Sequence, residues 1–513
     1  MNPKYLSWST AAAAALCAAA VSGCDNSKLP AVNNNPNAPV TAPAPTVFTS
    51  AVRTGVGTWL GSGYDLRDIS LLIQHFAENQ YISNDRYLGI LPSSLNNTFT
   101  GAYANDLEDF QVVVRDGRAA NDPSTWAPAL IMQQWEFGYL TDTWGDVPYS
   151  QALAGDSATA VPSPAYDPQQ TIYAGMFTNL AAAVTALNGA PTANSLGSAD
   201  PLYGGNTAAW EKFGNSLRLR DAMRIVNADP ATTDAQLKAA LSAPGGVFTS
   251  NADNAQLDWP GDNIFNNPWA VNFSSRDDDR MSQTLVDTLL NLNDPRLPVY
   301  AMPATATGTY RGQPNGLTNS KAVAYSDSAS RPGAIFYPGP VAYGSGFYGG
   351  TGGAQPSYLM TYAEVALIEA EAAQRGLGGL TPSQAAGFYD AGITASMQQW
   401  GVTNQAAIAA YLAQPRVAYQ GGTAGLKQIA LQKWIALYSD GGQAWFEWRR
   451  TCVPTLTPAL YGVFPYVPRR VEYPTTEQET NGSSVAAAIT DMGGDAPNTM
   501  MWEDKPANAP TCQ

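Results

Sequence analysis

Histidine is almost absent from this chain, and its absence removes a large class of catalytic sites. His75 is the single histidine among 513 residues, so multi-histidine zinc sites of the HExxH type are excluded. The sequence also contains no GxSxG nucleophile elbow and no GxxxxGK[ST] phosphate loop. His75 falls in a helical stretch and is expected to be a packing residue. We therefore predict no catalytic residues, no metal site and no cofactor.

Basic residues are also scarce. The chain has 27 Lys and Arg residues against 42 Asp and Glu residues, which gives a formal net charge of -15. No Lys/Arg-rich run offsets this balance, so the electrostatic footprint of a nucleic-acid-binding protein is missing. We predict no nucleic-acid partner, and the net charge also disfavours polyanionic ligands.

Long apolar runs are missing after the N-terminus, where no segment reaches the roughly 18 apolar residues of a membrane-spanning helix. At the N-terminus, Lys4 precedes an apolar stretch from Ala11 to Val21, and Ser22-Gly23-Cys24 follows. This pattern looks like a bacterial lipoprotein signal. Residues 1–23 are then removed, and Cys24 is acylated with lipid chains such as palmitate. The alternatives are an ordinary secretory signal without lipidation and a short buried helix.

Cysteine is limited to four residues, two of which fall in or beside the signal. Cys17 would leave with the signal and Cys24 would carry the lipid, so Cys452 and Cys512 remain in an exported protein. Disulfides persist in such compartments, and a bridge between these two cysteines is predicted. Two separate buried thiols are the alternative, because a bridge depends on a Cα separation that sequence does not give.

The mature chain is expected to begin with a tether and continue as one domain. Residues 24–46 are rich in Asn, Pro and Ala, a composition typical of a flexible linker, and residues 47–513 are assigned to a single domain. Apolar residues recur there at helical spacing. The predicted helices are Val47–Tyr81, Leu95–Arg118, Ala127–Trp144, Gln169–Leu187, Thr207–Val226, Tyr358–Arg375 and Pro382–Trp400.

Helical patterning mostly fails between residues 228 and 355, where prolines and glycines interrupt it. Only Met281–Leu292 is predicted to be helical in this irregular insertion. The run Asp277-Asp278-Asp279 could bind a hard cation such as calcium, but it lacks the loop pattern of an EF-hand. We interpret it as a solvated helix start.

The stretch from Gly425 to Arg450, GLKQIALQKWIALYSDGGQAWFEWRR, carries the strongest helical period of the chain. Ile429, Trp434 and Tyr438 lie on one face of a 3.6-residue helix. The pair Gly441-Gly442 can turn the chain before a second aromatic run. So much aromatic surface predicts helices buried in the core.

Several segments, in the same order, resemble the SusD/RagB family of nutrient-binding outer-membrane lipoproteins. They are TWGDVPY at 143–149, which we interpret as a helix stop, NDPRLP at 293–298, YRG at 310–312, YLMTYAE at 358–364 and QKWIALYSDGGQAWFEWRR at 432–450. The resemblance implies a mainly α fold, with a tetratricopeptide-like scaffold of helix pairs and a loop-rich, irregular ligand-binding portion. It also implies a lipid-anchored protein at the cell surface that captures oligosaccharides or peptides. Its partner would be a SusC-like TonB-dependent transporter.

Sugar- and peptide-binding sites need flat aromatic faces beside hydrogen-bonding side chains. Three loop stretches combine such residues. The candidates are Trp259, Asn267, Trp269 and Arg276 in the first, Tyr343 and Tyr348 in the second, and Asn79 and Tyr81 in the third.

Two other functions remain open from the sequence. A secreted α-helical glycoside hydrolase would use paired carboxylates, although no spacing singles out a pair. A helical-repeat scaffold would use the aromatic loops to bind another protein and no small ligand. Turnover of an oligosaccharide would indicate the first, and copurification without glycan affinity the second.

Overall fold

Helices build most of this protein. The computed structural model describes residues 42–155, 161–190, 196–337, 351–504 and Cys512, and the backbone of two short strands between 341 and 348. The first half contributes α1 (Ala44–Trp59), α2 (Ser70–Leu72), α3 (Asn96–Gly101), α4 (Glu108–Ala119), α5 (Pro123–Trp144), α6 (Gln169–Leu187), α7 (Thr207–Arg224) and α8 (Pro230–Leu241). Two π-helical segments, Ser62–Ile69 and Ala102–Leu107, run directly into α2 and α4.

The second half begins with short helices and then returns to longer ones. Its helices are α9 (Pro268–Phe273), α10 (Gln283–Asn291), α11 (Leu297–Tyr300), α12 (Asn319–Ala322), α13 (Tyr362–Arg375), α14 (Ala385–Gln399), α15 (Gln405–Leu412), α16 (Gly422–Ala436), α17 (Gly441–Thr451), α18 (Thr475–Thr480) and α19 (Gly482–Met492). Single 3₁₀ turns lie at Asn84–Arg86, Leu88–Ile90, Gly197–Ala199, Asn251–Asp253, Val323–Tyr325, Ala334–Phe336, Gly352–Ala354, Pro382–Gln384 and Trp502–Asp504.

Short strands join distant parts of the chain. They are β1 (Phe76–Glu78), β2 (Ala255–Leu257), β3 (Asp279–Met281), β4 (Val341–Tyr343), β5 (Gly346–Tyr348) and β6 (Ser357–Met360). The antiparallel pairs are β1 with β3, β2 with β6, and β4 with β5. The first pair matters most for function, because loops of the candidate site leave from its ends.

Consecutive helices pack against each other, as α4 does with α5, α5 with α6, α6 with α7, and α13 with α14. The prediction of a mainly helical, tetratricopeptide-like scaffold is therefore confirmed. From Ala44 onward the chain folds as one compact unit. In the described part of the chain, no helix has both the length and the apolar character needed to cross a bilayer.

Helix α5 shows how local sequence sets an element's limits. The Asp122 side chain accepts a hydrogen bond from the Ser124 amide at 3.1 Å, and Pro123 occupies the first helical position. Gly145, with φ of 90°, ends the helix in a backbone conformation that other residues rarely adopt. The interpretation of the TWGDVPY segment as a helix stop is confirmed.

The aromatic stretch near the C-terminus lies at the centre of the core. It forms α16 and α17, and the Asp440 side chain caps α17 by accepting from the Gln443 amide at 3.0 Å. Its tryptophans are buried together with several from α1, α5 and α7. The buried set is Trp59, Trp135, Trp144, Trp210, Trp434, Trp445 and Trp448.

Several charged groups buried beside these rings form a network. Glu447 accepts from Arg224 at 2.7 Å and from Arg450 at 2.6 Å, and its carboxylate lies 3.2 Å from the Lys433 ammonium. Arg450 also forms a two-pronged pair with Glu371, both contacts at 2.6 Å. Because Glu447 faces three cations, its pKa is held below its usual range despite burial.

A disulfide joins Cys452, just after α17, to Cys512, and their Cα atoms lie 4.8 Å apart. Cys24 and the predicted signal lie outside the described residues, as does all but the last few residues of the tether.

Some helix limits predicted from sequence are wrong. The predicted helix Val47–Tyr81 ends at Trp59, and its later part contains β1, which forms only by pairing with β3. Residues 357–360, which include the predicted helix start at Tyr358, form β6 against β2. Both errors have one cause, since pairing with a distant strand overrides a local helical period.

The irregular insertion contains more helix than predicted. Helix α8 begins there, with Pro230 at its first position and the Asp229 side chain accepting from the Thr232 amide at 3.0 Å. The interpretation of Asp277-Asp278-Asp279 as a solvated helix start is also wrong. Asp278 and Asp279 are buried, and Asp279 opens β3.

Candidate ligand-binding face

Strands β1 and β3 hold two of the loops that form the candidate site. Glu78 lies opposite Asp279 in their register, and beyond it the Asn79 amide donates to the Asp278 carbonyl at 2.9 Å. The Asn79 side chain donates to Ser326 Oγ at 3.0 Å. The loop after β1 is thus fixed both to the approach to β3 and to a third loop around residue 326.

Tyr81 projects from the loop after β1. Its φ of 53° turns the backbone sharply, and 67% of the residue is exposed. The Arg276 guanidinium lies 4.9 Å from the ring centroid and is held by an ion pair with Asp278. The ion-paired Arg276 therefore holds the Tyr81 ring in a cation–π contact while most of Tyr81 faces solvent.

A small apolar cluster lies directly beneath this loop. Ile82, Leu317 and Ala322 are buried together, and half-buried Tyr325 packs against them. The Arg311 guanidinium lies 4.9 Å from the Tyr325 ring centroid. The segment from 311 to 326 therefore adds a second cation–tyrosine pair beside the first.

The loop from 459 to 463 adds a third pair. Tyr461 is 39% exposed, and the Lys321 ammonium lies 4.5 Å from its ring centroid. The Tyr461 amide donates to the Gly316 carbonyl at 2.9 Å, and its carbonyl accepts from Arg86 Nε at 2.6 Å. We call the resulting surface the tyrosine face. It comprises Tyr81, Tyr325 and Tyr461 with Arg86, Arg276, Arg311 and Lys321.

Buried carboxyl groups support the face from below. Asp85 accepts from Asn315 Nδ2 at 2.7 Å and from the Gly316 amide at 2.8 Å, which ties the loop after β1 to the segment around 316. Burial raises the pKa of Asp85 to about 7 and the pKa of Glu78 to about 10. Burial, with the neighbouring Asp278, raises the pKa of Asp279 to about 7. The Glu78 side chain accepts from the Asp85 amide at 3.3 Å, so the two carboxyl groups together support the loop after β1.

The eight predicted ligand residues separate into different environments. Tyr81 and Arg276 come together at the tyrosine face, whereas Asn79 is only 1% exposed and holds their loop from within. Trp259 is 8% exposed and donates its indole N–H to Ser357 Oγ at 3.0 Å, while Trp269 is 3% exposed and packs on Phe76. These two rings offer no open face for stacking.

Asn267 has a local structural role. Its side-chain oxygen accepts from the Trp269 amide at 2.9 Å and so caps α9, and its side-chain nitrogen donates to the Gln355 carbonyl at 2.9 Å. Tyr343 and Tyr348 belong to the hairpin of β4 and β5, but their side chains lie outside the described residues. Their role in binding stays a prediction.

Sequence reasoning missed Tyr325, Tyr461, Arg311 and Lys321. The run from 458 to 466, PALYGVFPY, mixes aromatic residues with proline and glycine, and the same loop criterion applied there would have found Tyr461. No comparable local signal marks Tyr325. Among the described residues, no group of three or more His, Cys, Asp or Glu side chains is placed to hold a metal ion.

Comparison with known proteins gives a consistent result. Residues 36–474 match the model of the SusD-like family, described as starch-binding and associating with the outer membrane. A search of the curated proteins returns no match.

Solved structures extend the comparison. A chitin-binding protein is 28% identical, with a TM-score of 0.75 over 90% of this chain and all of its own. A chitin-binding SusD homologue from Flavobacterium johnsoniae is 26% identical, with a TM-score of 0.76 over 91% of this chain and 98% of its own. A SusD homologue from Parabacteroides distasonis is 22% identical, with a TM-score of 0.78 over 90% of this chain and 98% of its own. At this identity the similarity bears on the fold alone.

Proposed function

Because the chain belongs to the SusD-like family, we propose that it is a cell-surface lipoprotein that captures glycans and delivers them to a SusC-like TonB-dependent transporter. The anchor is a lipid on Cys24, and residues 24–46 tether the body to the outer membrane. Oligosaccharides are preferred to peptides as ligands, because two similar solved proteins are described as chitin-binding.

The tyrosine face carries this proposal. Tyr81 is 67% exposed and Tyr461 is 39% exposed, and their rings are positioned by Arg276 and Lys321. An exposed ring with donors beside it can stack on the apolar side of a sugar while the donors bind its hydroxyl groups. The neighbouring Asp277 and Asp278 are engaged by arginines, which favours binding over acid–base catalysis.

Calorimetric titration of the purified full-length protein tests the proposal. Chitin and starch oligosaccharides are the first ligands, and the products are analysed after each titration. Tyr81→Ala is expected to weaken binding by about 1–2 kcal/mol, or roughly 5- to 30-fold in Kd, through loss of one stacking ring. Tyr81→Phe keeps the ring and is expected to bind within about 2-fold of the unmodified protein.

Saturable binding with the ligand recovered intact would support capture. Cleaved ligand would instead indicate a hydrolase. Binding that is unchanged in Tyr81→Ala would place the site elsewhere.

Delivery is tested separately by purifying a tagged full-length protein from its native outer membrane. We expect a TonB-dependent barrel protein to copurify in stoichiometric amount, identified by mass spectrometry. Loss of that partner when Cys24→Ala abolishes membrane attachment would support anchoring at this residue. A monomeric protein with no barrel partner would contradict delivery.

A further inference from the structure

Three cations of the tyrosine face have no carboxylate partner among the described residues. Arg86, Arg311 and Lys321 form none of the ion pairs found there, and each contacts a tyrosine instead. Arg311 and Lys321 are exposed, and Arg86 is half-buried. Other arginines of the protein instead form buried ion pairs, such as Arg296 with Asp294 and Arg449 with Glu503.

Several acidic groups near these cations are already engaged. Asp277 pairs with Arg280 and with Arg331, and Asp278 pairs with Arg276. Asp85 is buried and satisfied by hydrogen bonds. Arg311 and Lys321 therefore remain available to an anionic ligand, although the whole chain carries a net charge of -15. A net charge averages over the surface and does not describe the field at one site.

Arg311 and Lys321 each lie over the face of a tyrosine ring. Arg311 lies 4.9 Å from the Tyr325 centroid, and Lys321 lies 4.5 Å from the Tyr461 centroid. A guanidinium over a ring still has free N–H groups along its edge, and these match the two oxygens of an anion in a bidentate contact. A neutral sugar can accept hydrogen bonds from these groups through its hydroxyls, but it supplies no negative charge to pair with the cations.

We propose that the tyrosine face selects glycans whose rings carry anionic groups, with uronic-acid oligosaccharides as the first class. Sulfated sugars present similar chemistry and are the second source of such groups. This inference rests on the proposed capture of glycans and specifies the ligand class. It places carboxylates at Arg311 and Lys321 and a sugar ring on the exposed side of Tyr81.

The experiment compares three ligands of equal length on the full-length protein: a galacturonic-acid oligosaccharide, a sulfated oligosaccharide and a neutral chitin oligosaccharide. Calorimetry is performed at low and high salt. The double variant Arg311→Gln/Lys321→Gln is expected to bind the acidic ligand roughly 5- to 25-fold more weakly, because each exposed charge contact is lost. Its affinity for the neutral ligand is expected to fall by a smaller factor, because the hydrogen bonds that it loses there join a cation to an uncharged hydroxyl group and not to an anion.

Arg118→Gln is the matched control, because Arg118 lies 5.0 Å from the Trp126 ring centroid in another cation–aromatic pair, on α4 and α5. This variant is expected to bind all three ligands normally. Circular dichroism checks that each variant is folded. Binding of the acidic ligand should also weaken as salt rises, since exposed charges are screened.

Each outcome is decisive. Preference for the uronic-acid or the sulfated ligand, lost in the double variant, supports the inference and identifies the anion. Equal or tighter binding of the neutral ligand overturns it but leaves glycan capture intact. Binding of no glycan overturns both this inference and the capture proposal. Equal affinity for a single-stranded DNA oligonucleotide would also overturn it, because the face would then bind any polyanion.

Discussion

The single histidine allows a quantitative test of the core. His75 is fully buried, its Nε2 lies 3.1 Å from the Trp434 carbonyl oxygen, and its ring packs 4.8 Å from that of Trp434. Burial lowers the pKa of His75 to about 3, against an opposing contribution from the Trp434 carbonyl. The folded protein therefore keeps this side chain neutral across the physiological range.

The sign of the pH dependence follows from linkage. In the unfolded chain His75 takes up a proton near pH 6.5, whereas in the folded protein it does so only near pH 3. Acid thus favours the unfolded chain. The stability that neutral His75 contributes is fully present above about pH 6.5 and is lost as the pH falls. The loss is about 1.4 kcal/mol per pH unit, or about 2 kcal/mol at pH 5.

The test is the variant His75→Gln, which can still donate to the Trp434 carbonyl but cannot titrate. Urea unfolding is measured for both proteins at pH 7.5 and pH 5.0. The variant is expected to be less stable at pH 7.5, where it loses aromatic packing, but the difference in unfolding free energy should shift by about 2 kcal/mol in its favour at pH 5.0. Parallel pH dependences of the two proteins would refute the assigned state of His75.

Two further predictions concern what holds the core together. Glu447→Gln leaves three buried cations without their shared carboxylate and is expected to lower the free energy of unfolding, measured in urea, by about 3–5 kcal/mol. The control Glu479→Gln, at an exposed position, should change it by less than about 0.5 kcal/mol. Equal effects of the two substitutions would contradict the network. The double variant Cys452→Ser/Cys512→Ser opens a link across a sequence separation of 60. It is expected to lose about 4 kcal/mol in the chain-entropy model, and unchanged unfolding would show that the bridge does not stabilise the fold.

Helices were the most predictable part of the structure because their signals are local. The apolar period and the Gly145 stop correctly predicted the end of α5 at Trp144, whereas its start at Pro123, capped by Asp122, was predicted four residues too late at Ala127. The failures occurred where distant segments pair. Residues 357–360 have a helical period, but β2 supplies a strand partner that cannot be read from nearby residues.

The candidate site was only partly predictable for a similar reason. Aromatic residues in loops point to packing and to binding equally well, and only the fold separates buried Trp269 from exposed Tyr81. The tyrosine face also draws on four segments far apart in sequence, so Tyr325 and Tyr461 join it through tertiary contacts alone. The grouping of cations on the face was hidden for the same reason, because Arg311 and Lys321 are isolated in the sequence.

The most direct test of glycan capture is a crystal structure of the full-length protein with a bound oligosaccharide. The account predicts intact sugar rings stacked on Tyr81 or Tyr461, with ring carbons about 3.5–4.5 Å from the aromatic face. Sugar bound only at another surface, or cleaved in the crystal, would contradict it.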